Sequence, residues 1–357
     1  ARNPTLTHHG KPAQAKQARR ELGARHVVEG TVRRSGDRVR VSAQLIDATT
    51  GHHIWAETYD RELRDIFALQ DEITEAIVAS MHPELVHLES ERVARTDPRS
   101  LDAYECFLRG TWHLGQRTRE HSAAARKWFE KATEFDPQLA EGWVGIAATH
   151  NLDVAYHWTD EPERSIAEQN RAARKGVALD ARSPDGQVEL GWGYVRTGHR
   201  EAGIEAFERA IALDPSHAPA HAAIGVMLAL GGRSDDASES LEKAMRLNPR
   251  SPRLWYWLDG MAWAHFASGR YEDAIEWAQR SCKVNPDQPW AYRALAASHA
   301  LLNQLEEARW ALSEELRLEP NITIQEIRLE MPWADPDFVE RYLDGLRKAG
   351  LPEGTEA

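Results

Sequence analysis

Two hydrophobic patterns divide the chain. Between residues 26 and 60, apolar and polar positions alternate, as in RVRVSAQLIDA from Arg38, which is typical of strands with one buried face. From residue 101 onward, apolar and small residues recur at steps of three, four and seven, which mark one face of a helix. The patterns predict a small sheet followed by a long series of helices.

The helical part is repetitive. Each unit closes with an apolar residue, an acidic or amide residue and a proline, with one degenerate copy ending in alanine. The closing residues are Pro137, Ala181, Pro215, Pro249, Pro286 and Pro320. They lie 44, 34, 34, 37 and 34 residues apart. A 34-residue period with two helical patterns per unit is typical of the tetratricopeptide repeat.

Small residues hold fixed places in these units, where they let two helix backbones approach closely. On the first helices they are Ala147, Gly191, Gly225, Ala262 and Ala296. On the second helices they are Ala125, Gly203, Ala237, Ala274 and Ala308. Gly198, Gly232 and Gly269 are predicted to end first helices with positive φ. Pro184 and Pro289 are predicted to lie in first turns, where no N–H is needed.

Residues 101–320 resemble the tetratricopeptide repeat (TPR) proteins. The resemblance implies a mainly α fold, in which about six helix–turn–helix units stack into an α-solenoid. The first two units are expected to have longer interhelix loops, around residues 117–122 and 156–162. Within residues 321–357 we expect a capping helix and a tail. Phe338, Tyr342 and Leu346 of that helix would mask the last repeat's apolar face.

Residues 1–95 are predicted to form a small α+β domain. HVVEGTVRR, RVRVSAQLIDA and HHIWAETYD, joined by short turns, predict a three-stranded antiparallel meander. In the second strand one face carries Val39, Val41, Ala43 and Leu45. A helical ARRELGA stretch precedes the strands. A long linker helix follows them, with an apolar face formed by Ile66, Leu69, Ile73 and Ile77.

The segment from Arg19 to Thr74, which includes the first part of that linker helix, is similar to a TolB-like module. DPDFVERYLDGLRKAG, followed by LPEG, also resembles the closing helix of proteins that carry this module. In bacterial signalling proteins the module lies between TPR repeats and an output domain. That domain is usually a class III adenylate cyclase or a winged-helix DNA-binding domain. The resemblance implies a TolB-like domain that is truncated here, and the chain contains no cyclase or winged-helix site residues.

Charge restricts the classes of partner. Residues 1–95 contain 14 of the 44 Lys and Arg residues and 14 of the 56 Asp and Glu residues, so the remainder carries the whole net charge of −12. An acidic array repels phosphate backbones, which argues against nucleic-acid binding and favours a neutral to basic protein or peptide. No apolar run is long enough to span a membrane. We expect a cytoplasmic protein, with the periplasmic face of a membrane-anchored parent as the alternative; a homodimer stays open.

The sequence predicts no catalytic residues, no metal site and no cofactor. HExxH, GxSxG and Walker patterns do not occur. Cys106 and Cys282 lie in different repeats, which excludes a disulfide framework and a cysteine-rich metal site.

Candidate binding residues lie on the first helices. Trp192, Trp263 and Phe266 occupy positions that line the concave groove in TPR proteins, and aromatic and arginine side chains dominate binding energies at interfaces. We expect four charged residues to flank them, namely Asp185, Arg196, Asp259 and Arg293.

Histidines recur at the first-helix position that Tyr194 holds in its own repeat. They are His113, His150, His265 and His299. An imidazole fills such a slot as a flat ring, which explains the column by packing. The sharper hypothesis is that these four histidines form a pH-sensitive spine along the repeats, because histidine titrates near neutrality and resists charging when it is buried.

These features predict a non-catalytic interaction module that binds a partner segment in the TPR groove and biases an attached output domain. One alternative is the regulatory region of a class III adenylate cyclase. A further alternative is the sensor half of a winged-helix transcription regulator.

Overall fold

A computed structural model describes residues 25–48, 52–62, 66–94, 101–156, 158–249, 251, 253–331 and 334–354. The chain forms two compact units, Ala1–Leu88 and Glu89–Ala357. The helix predicted at residues 18–24 and the side chains of Ile66 and Leu69 lie outside the described residues.

The first unit contains the predicted meander. Strands β1 (His26–Ser35), β2 (Arg38–Asp47) and β3 (His53–Glu62) pair antiparallel in the order β1-β2-β3. The period of two buries alternate residues of β2, so that Ala43 and Leu45 pack with Trp55 on one face. Helix α1 (Ile66–Ala94) covers this face, where Ile73 packs against Val39 and Tyr59.

The second unit contains six helical hairpins, as the repeat period predicts. Their first helices are α2 (Ala103–Gly115), α4 (Ala140–Ala155), α6 (Pro184–Arg196), α8 (Ala218–Leu230), α10 (Leu254–Ala267) and α12 (Pro289–Leu301). Their second helices are α3 (Arg119–Phe135), α5 (Pro162–Leu179), α7 (Arg200–Leu213), α9 (Ser234–Leu247), α11 (Tyr271–Val284) and α13 (Leu305–Leu318).

Steric limits explain the small residues. A Cβ at Gly191 would lie 2.4 Å from the ring of Phe207, which is buried between the two helices of its hairpin. The helix ends also follow the prediction: Gly198, Gly232 and Gly269 have φ of 81°, 76° and 76°. Pro184 and Pro289 begin α6 and α12.

One loop prediction is wrong. The second hairpin has the expected longer connection, from residue 156 to 161, but the first is joined by residues 116–118 alone, as short as in later hairpins. The residues assigned to that loop instead lengthen α3 to 17 residues. Thr118 starts this helix early, because its side chain accepts a hydrogen bond from the backbone N–H of His121 at 3.2 Å.

The C-terminal segment folds back along the first helices. It contains α14 (Ile324–Glu330) and α15 (Pro336–Ala349), and α15 packs mainly on α12. Phe338, Tyr342 and Leu346 are buried, and the first two rings contact Phe266 of α10 at centroid distances of 5.7 and 5.1 Å. The contact is close, because a Cβ at Gly345 would lie 2.7 Å from the carbonyl oxygen of Ala297.

Hydrogen bonds fix this segment at both ends. The backbone N–H of Asp335 donates to the carbonyl of Leu230 at 2.7 Å, and Arg341 Nη2 donates to the carbonyl of Ala267 at 2.8 Å. Near the C-terminus, the N–H of Ile324 donates to the carbonyl of Pro352 at 3.0 Å. The segment therefore covers first helices from three successive repeats instead of the last one alone.

Candidate functional site

A cavity of about 940 Å³ opens on the side of the solenoid that the first helices form. The ends of α4 and α6, the start of α10 and α12, and residues 319–331 of the C-terminal segment line it, together with Tyr342. Four of the seven predicted groove residues contribute to this lining, namely Trp192, Arg196, Trp263 and Arg293. A volume of this order matches pockets that hold drug-sized ligands.

Aromatic rings form much of the wall. The aromatic cluster comprises Tyr156, Trp192, Trp255, Tyr256, Trp263 and Trp290. Tyr256 lies at its centre, with ring centroids 6.4 Å from Trp192, 6.0 Å from Trp263 and 5.8 Å from Trp290. These spacings are within the range of favourable aromatic pairs, so that the rings support one another and present a broad apolar surface to the cavity.

Arg196 is held by neutral groups. Its Nη1 donates to Asn151 Oδ1 at 2.5 Å and to Gln169 Oε1 at 3.1 Å. Asn151 in turn donates through Nδ2 to Glu189 Oε2 at 2.8 Å. Two amide oxygens thus orient the guanidinium. Glu189, the acidic residue of this network, is hydrogen-bonded to Asn151 and not to Arg196.

Arg293, which also lines the cavity, has a different environment. It donates to Glu315 at 2.6 Å and to Glu319 and Glu330 at 2.8 Å each. The Arg293 side chain is 4% exposed and that of Glu315 is fully buried. The three carboxylates occupy the donors of this guanidinium, which makes Arg293 a structural residue of the cavity wall.

Three predicted groove residues, Asp185, Asp259 and Phe266, do not line the cavity. Phe266 is fully buried because Phe338 and Tyr342 of the returning helix cover its ring. Asp259 is also fully buried, with no hydrogen-bond partner for either carboxyl oxygen among the described residues. Burial raises the pKa of Asp259 to about 8, and the polar side chain of Ser281 nearby lowers it by a smaller amount.

The structure adds residues that the sequence interpretation missed. Trp255 and Tyr256 come from the LWYW run that begins α10, and Trp290 is the second residue of α12. The density of aromatic residues in that run was the available signal. Arg117 and Arg253 also line the cavity, but each lies outside a helix, where the repeat pattern assigns no position.

The four histidines of the column lie on α2, α4, α10 and α12. Burial lowers the pKa of His150 to about 4, with a further contribution from the positive charge of Arg126. Burial is also the largest cause of the lowered pKa values of His113 and His265. His299 Nδ1 lies 2.6 Å from Gln304 Oε1. The pH-sensitive spine stays a hypothesis.

A stability measurement tests the hypothesis of a pH-sensitive spine. Because the pKa of His150 is lower in the folded than in the unfolded chain, its contribution to stability is present above about pH 6.5 and is lost as pH falls towards 4. We expect His150→Phe to reduce the fall in unfolding midpoint between pH 7.5 and pH 5.5 by about 2 °C, which corresponds to about 1 kcal/mol after allowance for partial exposure. His265→Phe should act in the same direction, whereas a variant of the exposed residue His199, His199→Phe, serves as the control. Equal midpoint shifts in all three variants and the parent would exclude the spine.

Comparison with known proteins agrees with this geometry. A sequence model of the tetratricopeptide repeat matches residues 188–252, 231–289 and 260–321. A similar solved structure, the APC/C hetero-tetramer Cut9–Hcn1, has a TM-score of 0.56 at 17% identity, over 75% of this chain and 48% of that chain. The helical region is a TPR solenoid. TPR solenoids are typically non-catalytic scaffolds for protein–protein interaction, with extended binding surfaces.

Two curated relatives share part of the sequence. The putative adenylate cyclase 3 of Rhizobium meliloti (strain 1021) is 34% identical over 190 residues, 53% of this chain. The type IV pilus assembly protein PilF of Pseudomonas aeruginosa is 25% identical over 139 residues, 38% of this chain. The matches span 32% and 54% of the lengths of these relatives.

Two kinds of feature are absent from the described residues. No helix there has the length and apolarity needed to cross a membrane. The same part of the chain contains no group of three or more His, Cys, Asp or Glu side chains arranged to hold a metal ion.

Proposed function

We propose that this chain is a regulatory interaction module, which binds a short protein segment in the TPR cavity and biases an output domain attached to it. The observation that carries the proposal is the aromatic cluster, whose six rings line one cavity on the first-helix side. Large rigid rings gain binding energy at little cost in side-chain entropy, and such residues dominate the affinity of protein interfaces.

The size of the cavity limits the bound segment. About 940 Å³ accommodates a ligand of drug size, equivalent to a few side chains, so the site would read a short motif. The C-terminal segment contributes Ile322, Leu329 and Tyr342 to the wall. The partner would therefore bind beside residues 319–331, and not along the whole array.

The kind of output domain is inferred from sequence resemblance. The adenylate cyclase relative favours a class III cyclase whose regulatory region this chain would represent. The TolB-like resemblance of residues 1–95 agrees with such an arrangement, and it also allows the winged-helix alternative. The sequence of the parent gene upstream of Ala1 separates them: paired catalytic aspartates would indicate a cyclase, and a basic recognition helix a transcription regulator.

A library of displayed random peptides tests the interaction role. We expect the chain to select a family of related peptides, and Trp263→Ala to weaken their binding at least tenfold because it removes a ring from the cavity wall. Titration calorimetry with the selected peptides measures the loss.

Trp310→Ala is the matched control, because Trp310 is 56% exposed on α13 and lies outside the cavity lining. Its peptide affinity should equal that of the parent chain. If Trp263→Ala binds the selected peptides as tightly as Trp310→Ala does, the cavity is not the interaction site.

A further inference from the structure

Three arginines meet at one end of the cavity. Arg117 lies in the turn after α2, Arg196 is the last residue of α6, and Arg253 immediately precedes α10. All three line the cavity, although they are far apart in sequence and belong to three different repeats. The stacking of the hairpins therefore assembles a cationic end that no single repeat encodes.

Among the described residues, these three guanidinium groups form no ion pair, and the carboxylate that acts electrostatically on Arg196 and Arg253 is that of Glu189. Arg196 donates to the amide oxygens of Asn151 and Gln169. The Nε and Nη1 atoms of Arg117 are sealed from solvent and have no hydrogen-bond partner among the described residues. Buried donors without partners are costly, so the described residues leave the Arg117 guanidinium incompletely satisfied.

The electrostatics also indicate excess positive charge. Burial lowers the pKa values of Arg117 and Arg196 to about 10 each. The positive charge of Arg253 adds to this effect at Arg117, whereas at Arg196 it is outweighed by the opposing charge of Glu189. Burial raises the pKa of the Glu189 carboxyl, and the charges of Arg253 and Arg196 oppose that rise, so one buried acidic group faces this set of arginines. Like charges that are partly shielded from water repel one another, and a bound anion would relieve this repulsion.

The surroundings of Arg293 have the opposite balance. Arg293 is surrounded by Glu315, Glu319 and Glu330, and Glu326 adds a further carboxyl to the lining. These carboxylates would repel an anionic ligand, which favours its binding at the three arginines.

We propose that Arg117, Arg196 and Arg253 form an anion subsite, which binds a carboxylate or phosphate group joined to a flat apolar body that packs on the aromatic cluster. Guanidinium groups suit both anions because their planar donors match two oxygens at once. The inference rests on the proposed function only in using the same cavity. The anion can belong to an acidic or phosphorylated partner segment or to a free small organic acid, and the two sources share this chemistry.

Small probes test the subsite on the whole chain. Phenyl phosphate and phenylacetate carry both features, benzyl alcohol lacks the charge, and inorganic phosphate lacks the ring. Tryptophan fluorescence and calorimetry should give at least tenfold tighter binding for one of the two aromatic anions than for benzyl alcohol and for inorganic phosphate. The tighter of the two identifies the preferred anion, and added salt should weaken its binding.

Arg253→Gln is the decisive variant, because Arg253 is partly exposed and its replacement need not disturb the fold. We expect it to remove the tenfold preference for the aromatic anion, with Arg117→Gln as a second variant. Arg209→Gln, an exposed position on α7 outside the cavity, should leave the preference intact. Far-UV circular dichroism verifies that each variant is folded.

Equal binding of benzyl alcohol and the anions, or an unchanged preference in both cavity variants, would overturn the subsite. A further outcome is that the displayed peptides require Trp263, contain no acidic or phosphorylated residue and bind Arg253→Gln as tightly as the parent chain. In that case the interaction module stands and the subsite is overturned. If the small anions bind with the expected preference but no peptides are selected, the subsite stands with a free organic acid as its ligand.

Discussion

Arg293→Met is expected to lower the free energy of unfolding by about 3–5 kcal/mol, the cost of leaving a buried charge without its partner. Glu315 is fully buried and faces Arg293 at 2.6 Å, while Glu319 and Glu330 approach the same guanidinium. Without the arginine, three carboxylates would remain close together, and one of them would have no access to water. Urea unfolding followed by circular dichroism measures the change.

The control is an arginine of the same type at the surface. Arg317 pairs with Glu314 at 3.0 Å, and these side chains are 53% and 30% exposed, so Arg317→Met should cost less than about 1 kcal/mol. A loss of similar size for both variants would contradict the structural role of Arg293. The test separates this role from ligand binding, since it is carried out without any ligand.

Asp259→Asn is expected to abolish a marked pH dependence of stability. The folded pKa of Asp259 is about 8 and the unfolded value is near 3.9, so the folded chain retains a proton that the unfolded chain has released. This contribution to stability is complete below about pH 4 and is lost progressively as pH rises towards 8, at up to about 1.4 kcal/mol per pH unit. Asparagine keeps the shape of the side chain but does not titrate.

Unfolding free energies of the parent and the variant at pH 5, 6.5 and 8 test this expectation. The difference between them should shift in favour of Asp259→Asn as pH rises. Asp235→Asn is the control, because its carboxylate is exposed to solvent. Comparing variant with parent removes the contribution of the buried histidines, which runs in the opposite direction. A constant difference from pH 5 to pH 8 would show that Asp259 is ionised in the folded chain.

Most of the fold could be predicted from sequence because its rules are local. The small residue at position 191 is required by Phe207 sixteen residues later, and the positive φ of Gly198 is a property of one helix end. Alternation in β2 likewise determines which side of the meander is buried. Such constraints recur with the repeat and are visible in a single sequence.

The site was harder to predict because it depends on contacts between distant segments. Phe266 has the pattern of a groove residue, but Phe338 and Tyr342, more than seventy residues later, bury it. The apolar character of α10 on all sides was a usable sign that Asp259 would be buried too. The net charge of −12 likewise suggested a neutral to basic partner, whereas one end of the cavity carries three arginines.

The return of residues 321–354 along the first helices also determines where a minimal binding fragment can be cut. A boundary at Pro320, where the last repeat closes, would remove Ile322, Leu329 and Tyr342 from the cavity and uncover the ring of Phe266. Such a fragment would retain all six hairpins and still lack one side of its pocket. Expression work on the isolated repeats should therefore keep the chain through Gly354, whose neighbour Glu353 is hydrogen-bonded to Gln325.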